Sequence, residues 1–234
     1  VYIKFRGLKQ EEHEKVVNYI KNNPLVGWLV EGDGSWDMVI GIHAENLNNF
    51  YKFKIAFENE FSDKISELST STQIQAYLYP RSYIFDLPRE EILLYSNKNK
   101  VQLDKKDKEI LRELAINSRN TIIDIAKKTR LSERTVAYRI KQLNKNKIIM
   151  QYRASINLER INYVFIKAFI KLQKLTQEKK QEIIVFFRNN NNVVHNVESL
   201  GEWEIEPEFE LEGINDFHKI MNEAFKKIVY FLII

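Results

Sequence analysis

Residues 121–145 read TIIDIAKKTRLSERTVAYRIKQLNK, and this stretch decides the fold of the middle of the chain. Thr121 and Ser132 are both typical N-caps, and each precedes a run of helical periodicity, with a short turn between the two runs. The second run places three apolar residues on one face, Val136, Ile140 and Leu143. A third helix is predicted before this pair, from Asp104 to Ala115, with Asp104 as its N-cap. Three short helices with a tight turn between the last two predict a helix-turn-helix.

The opposite face of the last predicted helix is basic and aromatic. Arg134, Tyr138 and Lys141 recur there at helical spacing. An arginine on such a face can bridge a guanine edge in the major groove, and lysines can neutralise phosphates. Residues near the start of the helix are best placed for base edges, and the later lysines for phosphates. The predicted DNA contacts are Arg119, Ser132, Arg134, Thr135, Tyr138, Arg139, Lys141 and Lys145.

Positive charge is concentrated around this motif. Residues 100–150 hold fourteen Lys and Arg against six Asp and Glu, whereas the rest of the chain holds twenty-two against twenty-six. An AT-rich genome explains abundant lysine but not its concentration in one segment, and any surface helix has a charged face. The caps, the turn and the preceding helix together favour double-stranded DNA as the partner over these alternatives.

The segments on either side of the motif repeat each other at a fixed offset of 167 residues. Gly34-Ser35-Trp36-Asp37 falls on Gly201-Glu202-Trp203-Glu204, and Leu47–Phe50 falls on Ile214–Phe217. The offset holds without a gap over about forty positions. The chain therefore contains a duplicated unit, with the helix-turn-helix between the two copies.

Each copy is predicted to run strand, helix, strand, strand, helix, strand. In the first copy we expect strands at Val1–Phe5, Val26–Val30, Trp36–Ala44 and Gln73–Tyr79. Alternation in the third strand predicts one shared face of Trp36, Met38, Ile40 and Ile42. The order β-α-β-β-α-β is the ferredoxin-like pattern, so the predicted fold class is α+β.

The predicted domains are residues 1–80, a linker at 81–102, the helix-turn-helix at 103–155 and the second copy at 156–234. Pro207 interrupts the third strand of the second copy and predicts an edge or bulge position. The fourth strand of that copy is expected beyond residue 234, apart from the short Val229–Ile234 run, so the copy is predicted to be incomplete. Pro80, Pro88 and the polar Ser96–Lys100 predict a plain connector.

Composition restricts the class of the protein. With 234 residues and 44% hydrophobic content, the chain has room for more than one domain and is not typical of disorder. No apolar run nears the roughly 20 residues of a membrane span, and no secretory signal is visible. The absence of cysteine excludes disulfides and thiolate metal sites, so we expect a cytoplasmic protein with no metal, cofactor or membrane partner. A start at Val1 inside a strand suggests a fragment of a longer protein.

Several stretches resemble the Lrp/AsnC family of leucine- and asparagine-type regulators. The resemblance is carried by Leu103–Leu111, Asn117–Arg119, Leu131–Val136, Arg139, Ile140 and Leu143. Ile148, Ile149 and Tyr152 resemble the strand that follows the family's recognition helix. The resemblance implies a sequence-specific transcription regulator with two ferredoxin-like effector and oligomerisation domains flanking a winged helix-turn-helix. It also implies a homo-oligomer, or a pseudo-dimer between the two copies in one chain. The order of the domains resembles two family units in tandem, which implies that a first helix-turn-helix is missing upstream.

The resemblance further implies an amino-acid effector at the glycine-containing turn of each copy. A glycine-lined turn exposes backbone N–H groups to a carboxylate, and an acidic side chain can hold an ammonium. The alternative is that the glycine only makes the turn and the tryptophan fills core. The effector candidates are Gly34, Trp36, Asp37, Gly201, Trp203 and Glu204.

One position departs from the family pattern. The family has glycine after the recognition helix where this chain has Lys147, so we expect Asn146 to take the left-handed conformation.

Two other functions remain as alternatives. A branch of proteins similar to the Lrp/AsnC family decarboxylates sirohaem, which needs histidines and arginines positioned around a tetrapyrrole. The four histidines, His13, His43, His195 and His218, are scattered without ligand spacing, so we do not predict an enzyme. The second alternative is an interaction module whose helix-turn-helix pairs only with other regulators. The basic face of the last predicted helix argues against this alternative.

Overall fold

The computed structural model describes residues 1–94, 101–172, 176–227 and 231–233. It divides into two units, which we name the repeat body (residues 1–91 and 164–234) and the helical domain (residues 92–163). The predicted polar stretch Ser96–Lys100 lies outside the described residues. Within the described ranges, no helix combines the length and apolarity that crossing a bilayer takes.

The first copy contains β1 (Tyr2–Phe5), α1 (Gln10–Lys21), β2 (Val26–Glu31), β3 (Met38–Ile42), α2 (Leu47–Phe61) and β4 (Ile65–Ser69). Its antiparallel sheet has the order β2–β3–β1–β4. Both helices bury their apolar stripes against one face of this sheet, where Ile3, Val16 and Phe57 are fully buried. Asn46 caps the start of α2, because its side chain accepts the N–H of Asn49 at 2.9 Å.

The chain continues through β5 (Thr72–Leu78), α3 (Ser82–Phe85) and β6 (Ile92–Leu94) into the helical domain, which contains α4 (Lys105–Ile116), α5 (Ile122–Thr129) and α6 (Glu133–Lys145). All three predicted caps are confirmed, because Asp104, Thr121 and Ser132 each accept the N–H three residues further on. Ile110 of α4 and Val136 of α6 lie at 0% exposure in the core of this domain.

Two expectations for the end of α6 are wrong. Lys147 itself takes the left-handed conformation, with φ of 55°, whereas Asn146 stays at φ −82°. The N–H groups of Lys147 and Ile148 turn back to carbonyls of Asn144 and Leu143, at 3.0 and 2.9 Å, and this C-terminal turn needs positive φ one residue after the cap. The strand predicted around Ile148 and Tyr152 is not formed, although Ile148 packs on the core of the domain.

The second copy contains β7 (Val164–Lys167), β8 (Ile170–Leu172), α7 (Gln177–Arg188), β9 (Val193–Leu200), β10 (Ile205–Leu211), α8 (Ile214–Lys227) and β11 (Phe231–Ile233). Here β7 and β8 together take the place of β1, and β11 pairs with β8 as β4 pairs with β1. The fourth strand expected beyond residue 234 is therefore supplied by the described part of the Val229–Ile234 run. The rest of that run lies outside the described residues.

Strand β5 corrects the prediction for the first copy. Gln73–Tyr79 was expected to be its fourth strand, but β4 holds that position. Instead β5 pairs antiparallel with β9, in a register from Thr72 opposite Leu200 to Leu78 opposite His195. The chain thus carries a strand of the first copy over to the sheet of the second.

Pro207 is not at a sheet edge, because β10 has β9 on one side and β7 and β8 on the other. The neighbouring strand is interrupted instead, and at that break the Pro207 carbonyl accepts the N–H of Ala168 at 3.0 Å. The pairing of β10 with β9 also shifts register between Glu208 and Phe209. The edge prediction is wrong, whereas the irregularity expected of a bulge lies one residue away.

The segment after β5 has more structure than a plain connector. Besides α3, it contains Arg89, whose guanidinium donates four hydrogen bonds of 2.8–3.0 Å to backbone carbonyls. The acceptors are the carbonyls of Pro80, Arg188, Asn190 and Val193. Arg89 therefore fixes residues 80–89 to the turn between α7 and β9, and its positive charge lies at the C-terminal end of α7, where the helix dipole is negative.

Candidate nucleic-acid interface

The exposed side of α6 carries the predicted recognition residues. Arg134, Lys141 and Lys145 are exposed, and Tyr138 is exposed by 62%. The opposite side of the helix is buried at Val136 and Leu143. The helix is thus held by its apolar stripe and presents two kinds of donor, a forked guanidinium and flexible ammonium groups, on one surface.

Two of the predicted DNA contacts, Ser132 and Thr135, form hydrogen bonds within the first turn of α6. The Ser132 hydroxyl accepts the N–H of Thr135 at 3.2 Å, and the two hydroxyl oxygens lie 2.8 Å apart. Ser132 is exposed and Thr135 is half-buried. Both hydroxyls therefore stabilise the start of the helix, where the helix dipole is positive.

Arg139 lies apart from the basic face. Its Nη1 is 2.8 Å from carboxylate oxygens of both Asp104 and Asp107, which joins α6 to the start of α4. The hydrogen bonds that Arg139 donates to these two carboxylates raise its pKa, and the hydrogen bonds from the Asp107 N–H and from Arg139 lower the pKa of Asp104. This arrangement gives Arg139 an intradomain partner, whereas the predicted Arg119 is exposed in the turn between α4 and α5.

The turn between α5 and α6 contains an exposed basic residue that is not among the predicted DNA contacts. Arg130 is exposed and takes the left-handed conformation with φ of 55°, where its N–H bonds to the Ala126 carbonyl. Lys127 is exposed one turn earlier, while Lys128 pairs with Glu113 at 3.0 Å. In the sequence, the position of Arg130 at the end of a predicted helix indicated that it would lie in this turn.

The side chains of the acidic effector candidates accept hydrogen bonds from backbone N–H groups in both copies. Asp37 accepts the N–H of Phe5 at 2.7 Å and pairs with Lys4 at 2.7 Å. At the equivalent place Glu204 accepts the N–H of Leu172 at 2.7 Å. Burial would raise the pKa of Asp37, but the hydrogen bonds from Lys4 and from the Phe5 N–H hold it below its usual range.

The tryptophan candidates lie between the two sheets. Trp36 and Trp203 pack with their ring centroids 5.9 Å apart, in a buried cluster completed by Tyr2 and Phe169. Trp36 therefore does not share the face of Met38 and Ile40, as alternation predicted, because that face packs against the helices. The two copies meet through this aromatic cluster, which we name the inter-sheet cluster.

Strand β10 carries acidic residues whose role the sequence did not reveal. Ile205, Phe209 and Leu211 face the helices of the second copy, and Glu206, Glu208 and Glu210 alternate with them on the other face. Lys167 pairs with Glu206 at 2.8 Å and with Glu208 at 3.0 Å. We name Lys167 and these three glutamates the acidic ladder. Its signal in the sequence was glutamate at every second position of one strand.

Every glutamate of the acidic ladder has a donor. Glu206 is fully buried and accepts the Tyr2 hydroxyl at 2.8 Å across the two copies. Glu210 accepts two bonds from Arg81, at 2.7 and 2.9 Å, and Glu208 lies 2.6 Å from His195. Burial would raise the pKa of Glu206 and Glu208, but the charge of Lys167 holds both well below the usual range.

A cleft of about 560 Å³ opens beside the glycine-containing turn of the first copy. Its lining includes Gly7, His13, Glu31, Asp33 and Asp37. His13 Nε2 and Glu31 Oε2 lie 3.1 Å apart at its wall. Of the six effector candidates, Asp37 lines this cleft. Gly34 is exposed and directly follows Asp33 of the lining in the sequence.

The histidines do not gather into one site. His13 faces Glu31, His195 faces Glu208, and the rings of Phe217 and His218 lie 5.8 Å apart. Among the described residues, no three histidine or acidic side chains are placed to hold a metal ion.

Together, the fold and the basic face of α6 define a helix-turn-helix protein of the α+β class, built on a duplicated ferredoxin-like body. Residues 103–144 match the AsnC-type helix-turn-helix domain. The helix-turn-helix segment of the chain is therefore of the AsnC type.

Known proteins resemble parts of the chain. An uncharacterized HTH-type transcriptional regulator of Pyrococcus abyssi is 40% identical over 60 residues, which are 26% of this chain and 40% of that protein. The chain thus spans well under half the length of that relative. A transcriptional regulator of Neisseria meningitidis, solved in complex with L-Met, has a TM-score of 0.50 and 24% identity, covering 56% of this chain and 85% of that one. LrpC of B. subtilis has a TM-score of 0.49 and 21% identity, covering 57% and 92%.

Proposed function

We propose that the protein is a sequence-specific DNA-binding transcription regulator acting in the cytoplasm, with α6 as its recognition helix. The observation that carries the proposal is the exposed basic face of α6, directly opposite its buried apolar stripe. Arg134 lies in the first turn of the helix, where it would reach base edges, and Lys141 and Lys145 lie where the phosphate backbone would run.

The test compares Arg134→Ala and Lys141→Ala on a DNA site selected from random sequence by the full chain. We expect Arg134→Ala to weaken binding by about tenfold or more and to relax specificity at one base position. We expect Lys141→Ala to weaken binding to all sequences alike, and to lower the slope of log affinity against log salt by about one. Lys52→Ala, an exposed lysine on α2, is the control and should change neither. Unchanged affinity and salt slope in both α6 variants would contradict the proposal.

A variant of Arg139 distinguishes a direct contact with DNA from a role in stabilising the helical domain. Because Arg139 is bonded to Asp104 and Asp107, we propose that it acts by joining α6 to α4. Arg139→Ala should therefore lower the melting temperature of the helical domain, and Asp107→Ala should do the same. A loss of DNA binding without any loss of thermal stability would instead place Arg139 at the DNA.

We also propose that an amino acid or a similar small effector acts at the cleft beside the first turn, with Asp37 and Asp33 toward its ammonium group. The cleft volume and its acidic lining support this, and the L-Met bound to the Neisseria regulator shows the kind of ligand to try first. The aromatic Trp36 and Trp203 belong in this proposal to the contact between copies. Calorimetric titration with a panel of amino acids checks the idea, with Asp33→Asn expected to weaken any ligand by about tenfold. A ligand unaffected by Asp33→Asn would bind elsewhere.

The contact between the two copies supports a pseudo-dimer within one chain. The inter-sheet cluster and the crossing of β5 make that contact without a second chain. An assembly would then need half as many chains as one built from single-copy subunits. Mass photometry of the full chain, with and without DNA, would give the number of chains.

A further inference from the structure

Two basic residues take a backbone conformation that other residue types usually adopt. Among the described residues, four residues other than glycine have positive φ, namely Asp86, Arg130, Lys147 and Asn162. Aspartate and asparagine enter the left-handed region more readily, because their short polar side chains bond to the local backbone. Arginine and lysine make no such local bond. Arg130 and Lys147, each with φ of 55°, are therefore the strained positions of this set.

The two strained residues flank α6, the proposed recognition helix. Arg130 lies two residues before the N-cap Ser132, and Lys147 lies two residues after Lys145, where the helix ends. A helix of 13 residues is about 20 Å long, whereas the major groove is roughly 12 Å wide. A recognition helix that lies in the groove therefore brings its ends near the phosphate backbones that border it.

The fold of the domain does not require either charge. At both positions the N–H of the following residue bonds back to a carbonyl five residues earlier, at 3.1 Å for Leu131 and 2.9 Å for Ile148. The side chains of Leu131 and Ile148 then pack on the core of the helical domain. Such a turn needs a positive φ with an apolar residue after it, and glycine would supply the positive φ without strain.

Neither charge has a partner in the part of the chain that the structure describes. Arg130 and Lys147 are exposed, and their side chains make no hydrogen bond or ion pair to the described residues. Lys128, which is close to Arg130 in sequence, differs because it pairs with Glu113 at 3.0 Å. The dipole attracts a positive charge at the C-terminal end of a helix, but for an exposed charge this gain is no larger than the strain. The strain at these two positions is thus not explained by folding.

We propose that Arg130 and Lys147 bind DNA phosphates at the two ends of α6, one on each side of the major groove. The proposal rests on the proposed DNA-binding function and adds to it two residues that lie outside the recognition helix. Each charge contributes affinity and fixes the position of the helix in the groove without reading bases. The strained turns therefore serve DNA binding at the expense of stability.

The test uses glycine, which removes the charge and the strain together. On the DNA site selected from random sequence by the full chain, Arg130→Gly and Lys147→Gly should each weaken binding by about fivefold. Each should also lower the slope of log affinity against log salt by about one, and the double variant by about two. A duplex of scrambled sequence should lose the same factor. The melting temperature of the helical domain should stay equal or rise, because glycine fits a positive φ.

Further variants separate the charge from the backbone. Arg130→Lys and Lys147→Arg keep the charge and should keep DNA affinity within about twofold. Asn162→Gly is the matched control, since it places glycine at a positive φ in the same domain but removes no charge. It should also leave affinity within about twofold. If a glycine variant lowers the melting temperature, Arg130→Asn and Lys147→Asn replace it, because asparagine tolerates the conformation and has no charge.

Four results would overturn the proposal. If Arg134→Ala and Lys141→Ala weaken binding but the two glycine variants do not, the DNA-binding function stands and the two clamping contacts do not exist. If none of these four variants weakens binding, the DNA-binding function itself is wrong. A lower melting temperature with unchanged DNA affinity would mean that the charges stabilise the helix ends through the dipole. A loss confined to one base position would mean a base contact instead of a phosphate contact.

Discussion

Strands β2 and β9 occupy the same position in the two copies of the repeat, yet they have different neighbours. Strand β9 lies between β10 and β5, and six of its eight residues are buried. Strand β2 has β3 beside it, and none of its residues is fully buried. The duplicated sequence has thus retained its core pattern, whereas the neighbours of equivalent strands differ between the copies.

The inner faces of the two sheets differ as well. In the second copy this face carries the acidic ladder, whereas the first copy has Val39 and Gly41 at the positions equivalent to Glu206 and Glu208. Gly41 leaves room for Trp28, since a Cβ at Gly41 would lie 2.2 Å from the Trp28 ring. If both sheets carried an acidic ladder, six buried carboxylates would face one another at this contact. The unequal faces thus favour pairing of the first copy with the second.

The largest expected effect comes from the inter-sheet cluster, where the copies are alike. Trp203→Ala should lower the free energy of unfolding of the repeat body by about 4 kcal/mol, and Trp36→Ala by about 3 kcal/mol, because both remove a buried indole. Urea denaturation followed by tryptophan fluorescence reports this unit alone, since Trp28, Trp36 and Trp203 all lie in it. Trp28→Ala, at a half-buried site, is the control with a smaller loss. A loss below about 1 kcal/mol for Trp36→Ala would mean that the cluster stabilises only the second copy.

The next effect separates the copies, because the acidic ladder exists in only one of them. Lys167→Met should cost about 3 kcal/mol, since it leaves Glu206 and Glu208 buried without their cation. Adding Glu208→Gln to Lys167→Met should restore part of the loss, because it removes one uncompensated charge. Urea denaturation at pH 7 measures both variants. If Lys167→Met left the free energy of unfolding unchanged, hydrogen bonds alone would be enough to stabilise the buried carboxylates.

Acid should weaken the repeat body through the same residues. Glu206 and Glu208 have pKa values below those of an unfolded chain, so their contribution is complete above about pH 4.5 and is lost as pH falls through the folded-state values. The free energy of unfolding should fall by about 2 kcal/mol between pH 5 and pH 2. In Glu206→Gln the fall should be shallower. An equal slope in the variant and the parent would assign the pH dependence to other carboxylates.

The smallest effect compares the two edge glutamates. Glu198→Gln should cost about 1 kcal/mol, because it weakens bonds to Tyr77 and Lys180 at a largely buried site. Glu31→Gln should change stability by less than about 0.5 kcal/mol, because its pair with His13 is exposed. Chemical denaturation of both variants side by side checks this. Equal losses would mean that Glu31 already has a buried partner.

The sequence predicted the elements of the fold better than their pairing. The caps at Asp104, Thr121 and Ser132 were found because capping depends on residues only three positions apart. The strand at Gln73–Tyr79 was found from its alternation, but alternation shows that a strand is half-buried and not which sheet buries it. The short β4 was missed because its sequence ISELS has little apolar periodicity.

In the candidate site, too, the sequence predicted the features that depend on local spacing and missed those that depend on distant residues. The basic face of α6 follows from helical spacing alone, so Arg134 and Lys141 were predicted correctly as exposed. The partners of Arg139 lie more than thirty residues away in sequence, and no local pattern shows such a contact. The acidic ladder was missed for a related reason, because the lysine and arginine that stabilise its carboxylates come from other strands and segments.

The crossing of β5 means that the sequence repeat and the folding unit have different boundaries. A fragment of residues 1–80 would end in a strand whose partner β9 is missing, and would present an unpaired, partly apolar strand to its neighbours in solution. A fragment ending at residue 69 would keep the order β2–β3–β1–β4 and leave that strand out. Dissection of this protein into separately expressed halves should therefore follow the hydrogen bonding of the sheets, with residues 70–91 left attached to the second half.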